Sequence, residues 1–326
     1  MKSNLDLVNE CDKFPYQDKD AKAYSELLST FYTLVWKDGN TETPIGYVPE
    51  SVLEELRKVP VSIKKSFTVN QATRTFSAFQ LPTEEERSKA VADTCTYLRE
   101  QKIFALLEGW RDELYPIYGP GNEVLYSMER AATALFGVVT YGVHMTAYVK
   151  TEGVSHGIKL WIPRRSRTKQ TYPAMLDNTV AGGTSTGEDT FECLVRECEE
   201  EASLPEDIVR KNATRQGTLT YIYITDKTRG GELGLVQPEV EHIYDLELPA
   251  EFIPKPNDSE VEQFYLWTVE EVQEHMAKGE FKPNCALVIL DFFQRHGILT
   301  PENEPHFAEI KSRLHRHLDF PGPHRS

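Results

Sequence analysis

The chain has 326 residues, 51 acidic against 36 basic side chains, a formal net charge of −15 and 40% hydrophobic residues. Length and apolar content fit a soluble globular protein with room for two domains. The negative charge repels polyanions, which argues against nucleic acid and anionic membranes as partners, so an anionic ligand must be attracted locally by basic side chains or metal.

Residues 1 to about 20 are polar and predict a frayed terminus. Residues 31–36 read as a strand closed by the turn signal at 37–40, residues 45–48 as a second strand, and 49–58 as a short helix opening on Pro49. A further pair of strands is expected at 67–69 and 75–79. Thr83 and Glu86 have capping-box spacing and open a helix reaching about Gln101. Residues 110–119 mix aromatics with charge, and Gly-Pro-Gly-Asn at 119–122 breaks the pattern. The expected division is an N-terminal α+β domain at 1–125, a second domain at 126–300 and a polar C-terminal tail at 301–326.

In the second domain, strands are expected at 138–149, 158–162, 218–224, 241–248 and 263–267, with helices at 269–278 and 283–297. A basic stretch, Arg164, Arg165, Arg167 and Lys169, lies between the second of these strands and residues 182–204. Sheet elements on both sides of one central helix predict a layered α/β (α+β) fold. Cys11, Cys95, Cys193, Cys198 and Cys285 lack metal-type spacing, which predicts reduced thiols in a cytoplasmic compartment. The N-terminus has no apolar targeting region, and no apolar run reaches membrane-spanning length.

The central helix follows a glycine-rich turn. At ~100° per residue, Phe191, Leu194, Val195, Cys198 and Ala202 form an apolar stripe, while Glu197, Glu200 and Glu201, related as i, i+3 and i+4, share another arc. Pro205 ends the helix. At a separation of ~6 Å and an effective dielectric of ~20, each glutamate pair costs roughly 2–3 kcal/mol. A divalent cation with hard oxygen ligands, Mg2+ or Mn2+, removes that repulsion. A solvated acidic face is the alternative that the bare acidic cluster leaves open.

The full spacing resembles the signature of the Nudix hydrolases, G-x5-E-x7-R-E-U-x-E-E-x-G-U with U apolar. Gly182, Glu188, Arg196, Glu197, Glu200, Glu201 and Leu204 fit it, Cys198 takes an apolar position, and Ser203 replaces the late glycine. Residues 110–115, 136–138, 141–144, 160–169, 172–173 and 176–178 are similar to the thiamine pyrophosphokinase-related Nudix group. That group carries an extra N-terminal domain and often ends the box with Ala-Ser-Leu-Pro, as at 202–205. The resemblance implies a Nudix-fold mixed sheet between helices and Mg2+- or Mn2+-dependent cleavage of a small-molecule diphosphate. Thiamine diphosphate or its oxidised analogues would give the monophosphate.

By the same resemblance Glu197 binds metal and acts on water, Glu200 and Glu201 complete the metal set, and Arg196 orients a carboxylate. A further acidic ligand is expected from a later loop: Glu260 is chosen over Asp258, Glu262, Glu239 and Glu241. Glu188 suits either the helix N-terminus or the site. Arg164, Arg165 and Lys169, with Arg167, are expected to recruit the diphosphate, because guanidinium groups bind phosphate bidentately. Trp110 and Tyr115 are candidates to face a ring. His144, Trp161 and Tyr172 read as core, and His315 and His317 lack metal partners. The rivals are a nucleotide-type substrate such as ADP-ribose or NADH, a same-fold isomerase and a noncatalytic binding module.

Overall fold

A computed structural model describes residues 1–227 and 231–325, with the side chain of residue 325 outside the description. The chain opens with α1 (Asn4–Cys11), held by a reciprocal capping box between Ser3 and Asp6, and α2 (Ala21–Leu28). The hairpin β1 (Phe31–Asp38) and β2 (Thr41–Pro49) leads into α3 (Glu50–Lys58) and the short α4 (Val61–Lys64). Next come β3 (Phe67–Asn70), β4 (Thr75–Ala78) and α5 (Glu84–Glu100), which starts on the expected Thr83–Glu86 capping box. A second hairpin, β5 (Leu114–Tyr118) and β6 (Val124–Glu129), is followed by α6 (Thr133–Phe136).

The second half begins with β7 (Thr140–Lys150), β8 (Ile158–Arg165) and β9 (Val180–Gly183). Then come α7 (Thr190–Ala202), α8 (Glu206–Asn212), β10 (Ala213–Ile224), β11 (Val236–Glu247) and β12 (Val261–Thr268). It closes with α9 (Val269–Ala277), α10 (Pro283–Arg295) and α11 (Phe307–Leu314). Among the described residues no helix is long and apolar enough to cross a membrane.

Strands β2-β1-β4-β3 form one sheet, and α3, α5 and the β5–β6 hairpin share a core with it, including Leu34, Leu53, Phe76, Val91 and Tyr126. The larger mixed sheet runs β10-β11-β7-β8-β12, with β11 and β7 parallel. Alternation along β7 sends Val143, Met145 and Ala147 to the α7 side, where they pack with Val180, Leu194 and Cys198. Leu160, Tyr221 and Ile243 form the opposite core with Leu287 and Phe292 of α10.

The first half of β7 pairs with β9, Gly142 opposite Gly183 to Met145 opposite Val180, and its second half pairs with β8 from Tyr148 opposite Leu160. Where β8 and β9 part, Thr179 bridges them: its Oγ1 accepts the Ala147 N–H at 2.8 Å and donates to Trp161 O at 2.6 Å. The sheet therefore forks beside the strand that leads into α7.

The packing departs from the sequence expectations in four places. Residues 119–122, expected near the domain boundary, are a hairpin turn closed by Gly119 N–H to Glu123 O at 2.9 Å. A boundary at 125 cuts β6, and the first core continues through Leu125, Tyr126, Leu135 and Phe136 to Val138. The N-terminus is not frayed: Leu7, Val8 and Cys11 are buried in the core shared with α10 and α11. The expected polar tail contains α11 and buries Ile310, Leu314, Leu318 and Phe320. Helices of eight residues offer too few apolar positions to stand out as periodic patterns.

Asp12 fastens the two ends of the chain. Its carboxylate, fully buried, accepts from Arg313 Nε at 3.3 Å and Arg316 NH1 at 2.8 Å. Removing one partner of a buried ion pair strands the other charges, at about 3–5 kcal/mol. Asp12→Ala is expected to destabilise the fold by that amount in denaturant unfolding; a loss below about 1 kcal/mol would mean that water replaces the carboxylate.

Candidate functional site

Asp189 caps α7, its Oδ1 accepting the N–H groups of Phe191 at 2.8 Å and Glu192 at 3.2 Å. At the other end Ser203 adopts φ 52°, ψ 33°, the left-handed position for which the signature has glycine. Leu204 N–H donates to Cys198 O at 3.0 Å, and the Ser203 hydroxyl donates to Lys255 O at 3.0 Å. The serine therefore keeps the glycine-type helix exit and adds a side-chain bond.

Between these ends the acids converge on one guanidinium. Arg196 NH1 donates to Glu197 Oε1 and to Glu200 Oε2, both at 2.9 Å, while Nε and NH2 donate to Glu188 at 2.9 and 3.3 Å. Glu188 also accepts the Ser185 N–H at 3.2 Å, so Arg196 pulls the glycine-rich loop back onto the helix. Burial opposes the charge on Glu188, but Arg196 and that N–H hold its carboxyl below the usual range.

Glu197 and Glu201 face inward. Burial pushes Glu197 up to about 7 against the pull of Arg196. Burial, with Glu197 and Asp177 nearby, pushes Glu201 well above the carboxylate range, although it accepts the Ala181 N–H at 3.0 Å. Glu200 is half exposed. Two backbone positions leave room for this packing. A Cβ on Gly182 would fall 2.2 Å from the Glu197 carboxyl carbon, and one on Gly183 1.6 Å from the Tyr115 hydroxyl. Gly182 thus stands in the signature because Glu197 lies against its backbone.

Among the described residues no three His, Cys, Asp or Glu side chains are gathered as a ready metal cage. Arg196 NH1 bridges Glu197 and Glu200 in that role. The donor set still fits a hard divalent cation: oxygen ligands only, with charges on Glu197 and Glu201 that burial makes costly.

On the opposite side of the β9 backbone lies a cleft of about 170 Å3, lined by Tyr115, Tyr172, Tyr221, Gln237, Glu239 and Glu241 among others. Tyr221 OH donates to Glu239 and, at 2.9 Å, to Glu241. His144 Nε2 stands 3.5 Å from Glu241, and its Nδ1 is 2.7 Å from Asn178 Oδ1. Burial works against both charges, yet their mutual attraction raises His144 well above its usual value and brings Glu241 down to about 2. Gln237 is buried, and among the described residues its Oε1 has no partner.

Sequence reasoning placed His144 in the core and missed that it borders this cleft; its alternation against Val143 and Met145 was the available signal. Glu239 and Glu241 belong to the cleft. Glu260 is paired with Lys169 and lies 3.6 Å from Arg111. The basic stretch is largely committed to structure. Arg165 is buried against Asp177 at 2.5 Å and donates to the carbonyls of Tyr172 and Thr171. Arg164 donates to Ala174 O and the Tyr265 hydroxyl, and exposed Arg167 stands 3.6 Å from Glu262. Trp161 is core, whereas Tyr172 lines the cleft. Trp110 stacks under Arg99, with 4.7 Å to the ring centroid, and His315 and His317 lie near Asp291 and Asp319.

Residues 146–287 match the NUDIX domain family, and residues 34–140 match a domain of unknown function (DUF4743). Nudix hydrolase 20, chloroplastic, of Arabidopsis thaliana is 42% identical over 304 residues, 89% of this chain and 74% of the relative. Nudix hydrolase 24, chloroplastic, of the same plant is 36% identical over 276 residues, 84% and 70% of the two chains. An uncharacterised protein of Saccharomyces cerevisiae is 34% identical over 324 residues, 98% of this chain and 92% of that one.

The contact between Gly182 and Glu197 gives a direct test. In Gly182→Ala the added methyl must displace the carboxylate, so Mn2+ affinity measured by calorimetry is expected to fall about tenfold or more, 1.4 kcal/mol, with the melting temperature little changed. Unaltered Mn2+ binding would separate Glu197 from the metal.

Proposed function

The chain belongs to the Nudix hydrolases, pyrophosphohydrolases that generally use divalent metals, and on that premise we propose that it cleaves thiamine diphosphate or its oxidised analogues to the monophosphate. The observation that carries the substrate class is the cleft behind β9. Tyrosine rings offer faces to a cationic heteroaromatic. Glu239 and Gln237 Oε1, which has no partner among the described residues, offer acceptors to exocyclic amino groups. Such a lining suits a ligand that is positive at its organic end and negative at its diphosphate.

Glu197, Glu200 and Glu201 are the residues that hold Mg2+ or Mn2+ in this reading. The bound cation supplies charge neutralisation at the diphosphate oxygens and a more acidic attacking water. Glu197, whose carboxylate lies against the Gly182 backbone, is the group placed to accept the water's proton. Water attacks the terminal phosphorus, the bridging P–O bond breaks, and monophosphate and inorganic phosphate leave. Arg196 keeps Glu188, Glu197 and Glu200 in register through this step. The ion pairs of Glu260 with Lys169 and Arg111 favour charge balance at the rim over metal binding. The five cysteines are buried and unpaired, which fits a reducing compartment such as the cytosol.

Glu197→Gln is expected to keep the fold and to lower kcat by on the order of a hundredfold or more, since the amide neither binds Mg2+ well nor accepts a proton. Wild-type turnover in that variant would remove Glu197 from the chemistry. For the substrate, kcat/KM is compared for thiamine diphosphate, oxidised thiamine diphosphate, ADP-ribose and NADH under one Mg2+ condition. A thiamine-type diphosphate is expected to lead; a tenfold preference for either nucleotide, about 1.4 kcal/mol, would replace the thiamine reading with a nucleotide one.

A further inference from the structure

The N-terminal domain reaches the glycine-rich loop of the catalytic domain directly. Thr186 N–H donates to Leu114 O at 2.7 Å and its hydroxyl to Ser127 Oγ at 3.0 Å, tying β5 and β6 to the loop that positions α7. Tyr115 of β5 is wedged against Gly183. The buried Glu129, last residue of β6, accepts the backbone N–H groups of Arg111 at 3.0 Å and Ala131 at 3.2 Å. One carboxylate thus fixes the chain at Arg111 and beside Arg130.

Arg130 is the cation this arrangement presents. Its NH1 donates to Glu113 Oε2 at 2.8 Å, and its guanidinium lies over the Tyr115 ring, 5.6 Å from the centroid. Among the described residues its Nε and NH2 have no hydrogen-bond partner, and its side chain is 40% exposed. It lines both the cleft behind β9 and a second hollow of about 420 Å3 between residues 105–111 of the N-terminal domain and residues 170–171 and 231–235 of the other. Glu197 is close enough to act on it electrostatically.

The other candidates for anion binding are occupied or elsewhere. Arg164, Arg165, Lys169 and Arg196 are committed to carbonyls or carboxylates. Lys282 lines the cleft too, but the acids that act on it are Asp177 and Glu241, on the organic side. A guanidinium held by one carboxylate and one ring keeps its remaining donor edge in a fixed plane, the geometry suited to two phosphate oxygens.

We propose that the N-terminal domain is a wall of the active site, in which Arg130, seconded by Arg111, grips the phosphate oxygens of the substrate across from Glu197. This rests on the diphosphate-hydrolase reading and not on the identity of the organic group. It gives the domain of unknown function a role: it supplies the phosphate clamp that the basic stretch at 164–169 does not. Lys169 and Arg111 share Glu260, so an arriving anion also has a second, exchangeable partner at Arg111.

The test uses the full chain with Mg2+ and imidodiphosphate as a non-hydrolysed probe. Arg130→Ala is expected to weaken imidodiphosphate binding and to raise KM about tenfold or more, for every diphosphate the wild type cleaves, with an unchanged melting temperature. Arg130→Lys keeps a charge and the reach to Glu113 and is expected to lose less; it carries the test if the alanine variant does not fold. Wild-type imidodiphosphate affinity in the folded variant would overturn the proposal, as would a KM rise confined to one organic group. If the wild type itself cleaves no diphosphate, the hydrolase reading fails first. If it cleaves and Arg130→Ala equals it, only the clamp is wrong.

Discussion

A single guanidinium, that of Arg196, holds together three glutamates, two on a helix and one in the loop before it. Without it, Glu188, Glu197 and Glu200 would repel one another inside a partly dry pocket, where each unit of charge is expensive. With it, the loop from Gly182 to Asp189 closes onto α7 and the inward acids keep one arrangement. The glycine at 182, the cap at Asp189 and the left-handed exit at Ser203 all serve that arrangement. The first lets Glu197 lie against the strand, and the other two end the helix cleanly around it.

The forked sheet gives the site its second side. Because β7 hands its edge from β9 to β8 partway along, the short β9 has acids on one face and the tyrosine-lined cleft on the other. One layer of backbone separates the two faces, and glycines at 182 and 183 keep that layer thin. The N-terminal domain completes the enclosure through Tyr115, and its hydrogen bonds to Thr186 make the loop common property of both domains.

Much of this was legible in the residues. Alternation marked most of the strands, Thr83 and Glu86 marked α5, and the spacing from Gly182 to Leu204 marked α7 and its acids. What escaped had partners remote in sequence. The terminal helices α1 and α11 are too short to show a period and are apolar only where they meet α10. Arg165 carries the same charge as any phosphate-binding arginine, and only the fold shows Asp177 beside it. Arg130 stands alone in sequence between Glu129 and two alanines, so no cluster drew notice to it. His144 looked like a core residue because it is one, on the wall of a cleft that its own alternation faces.

The clasp at Asp12 has a consequence for how the protein is made. Its partners Arg313 and Arg316 follow it by 301 and 304 residues. At roughly 5–20 residues per second, α1 emerges from the ribosome on the order of 15 to 60 seconds before α11 exists. Throughout that interval Leu7, Val8 and Cys11 have no finished core to enter, whereas most of the core that β1 to β6 share lies within residues 32–138. The N-terminal domain can therefore fold during synthesis, but the helical layer behind the catalytic sheet closes only afterwards. Until then, Leu7, Val8 and Cys11 of α1 stay exposed, a small apolar face waiting for its partners.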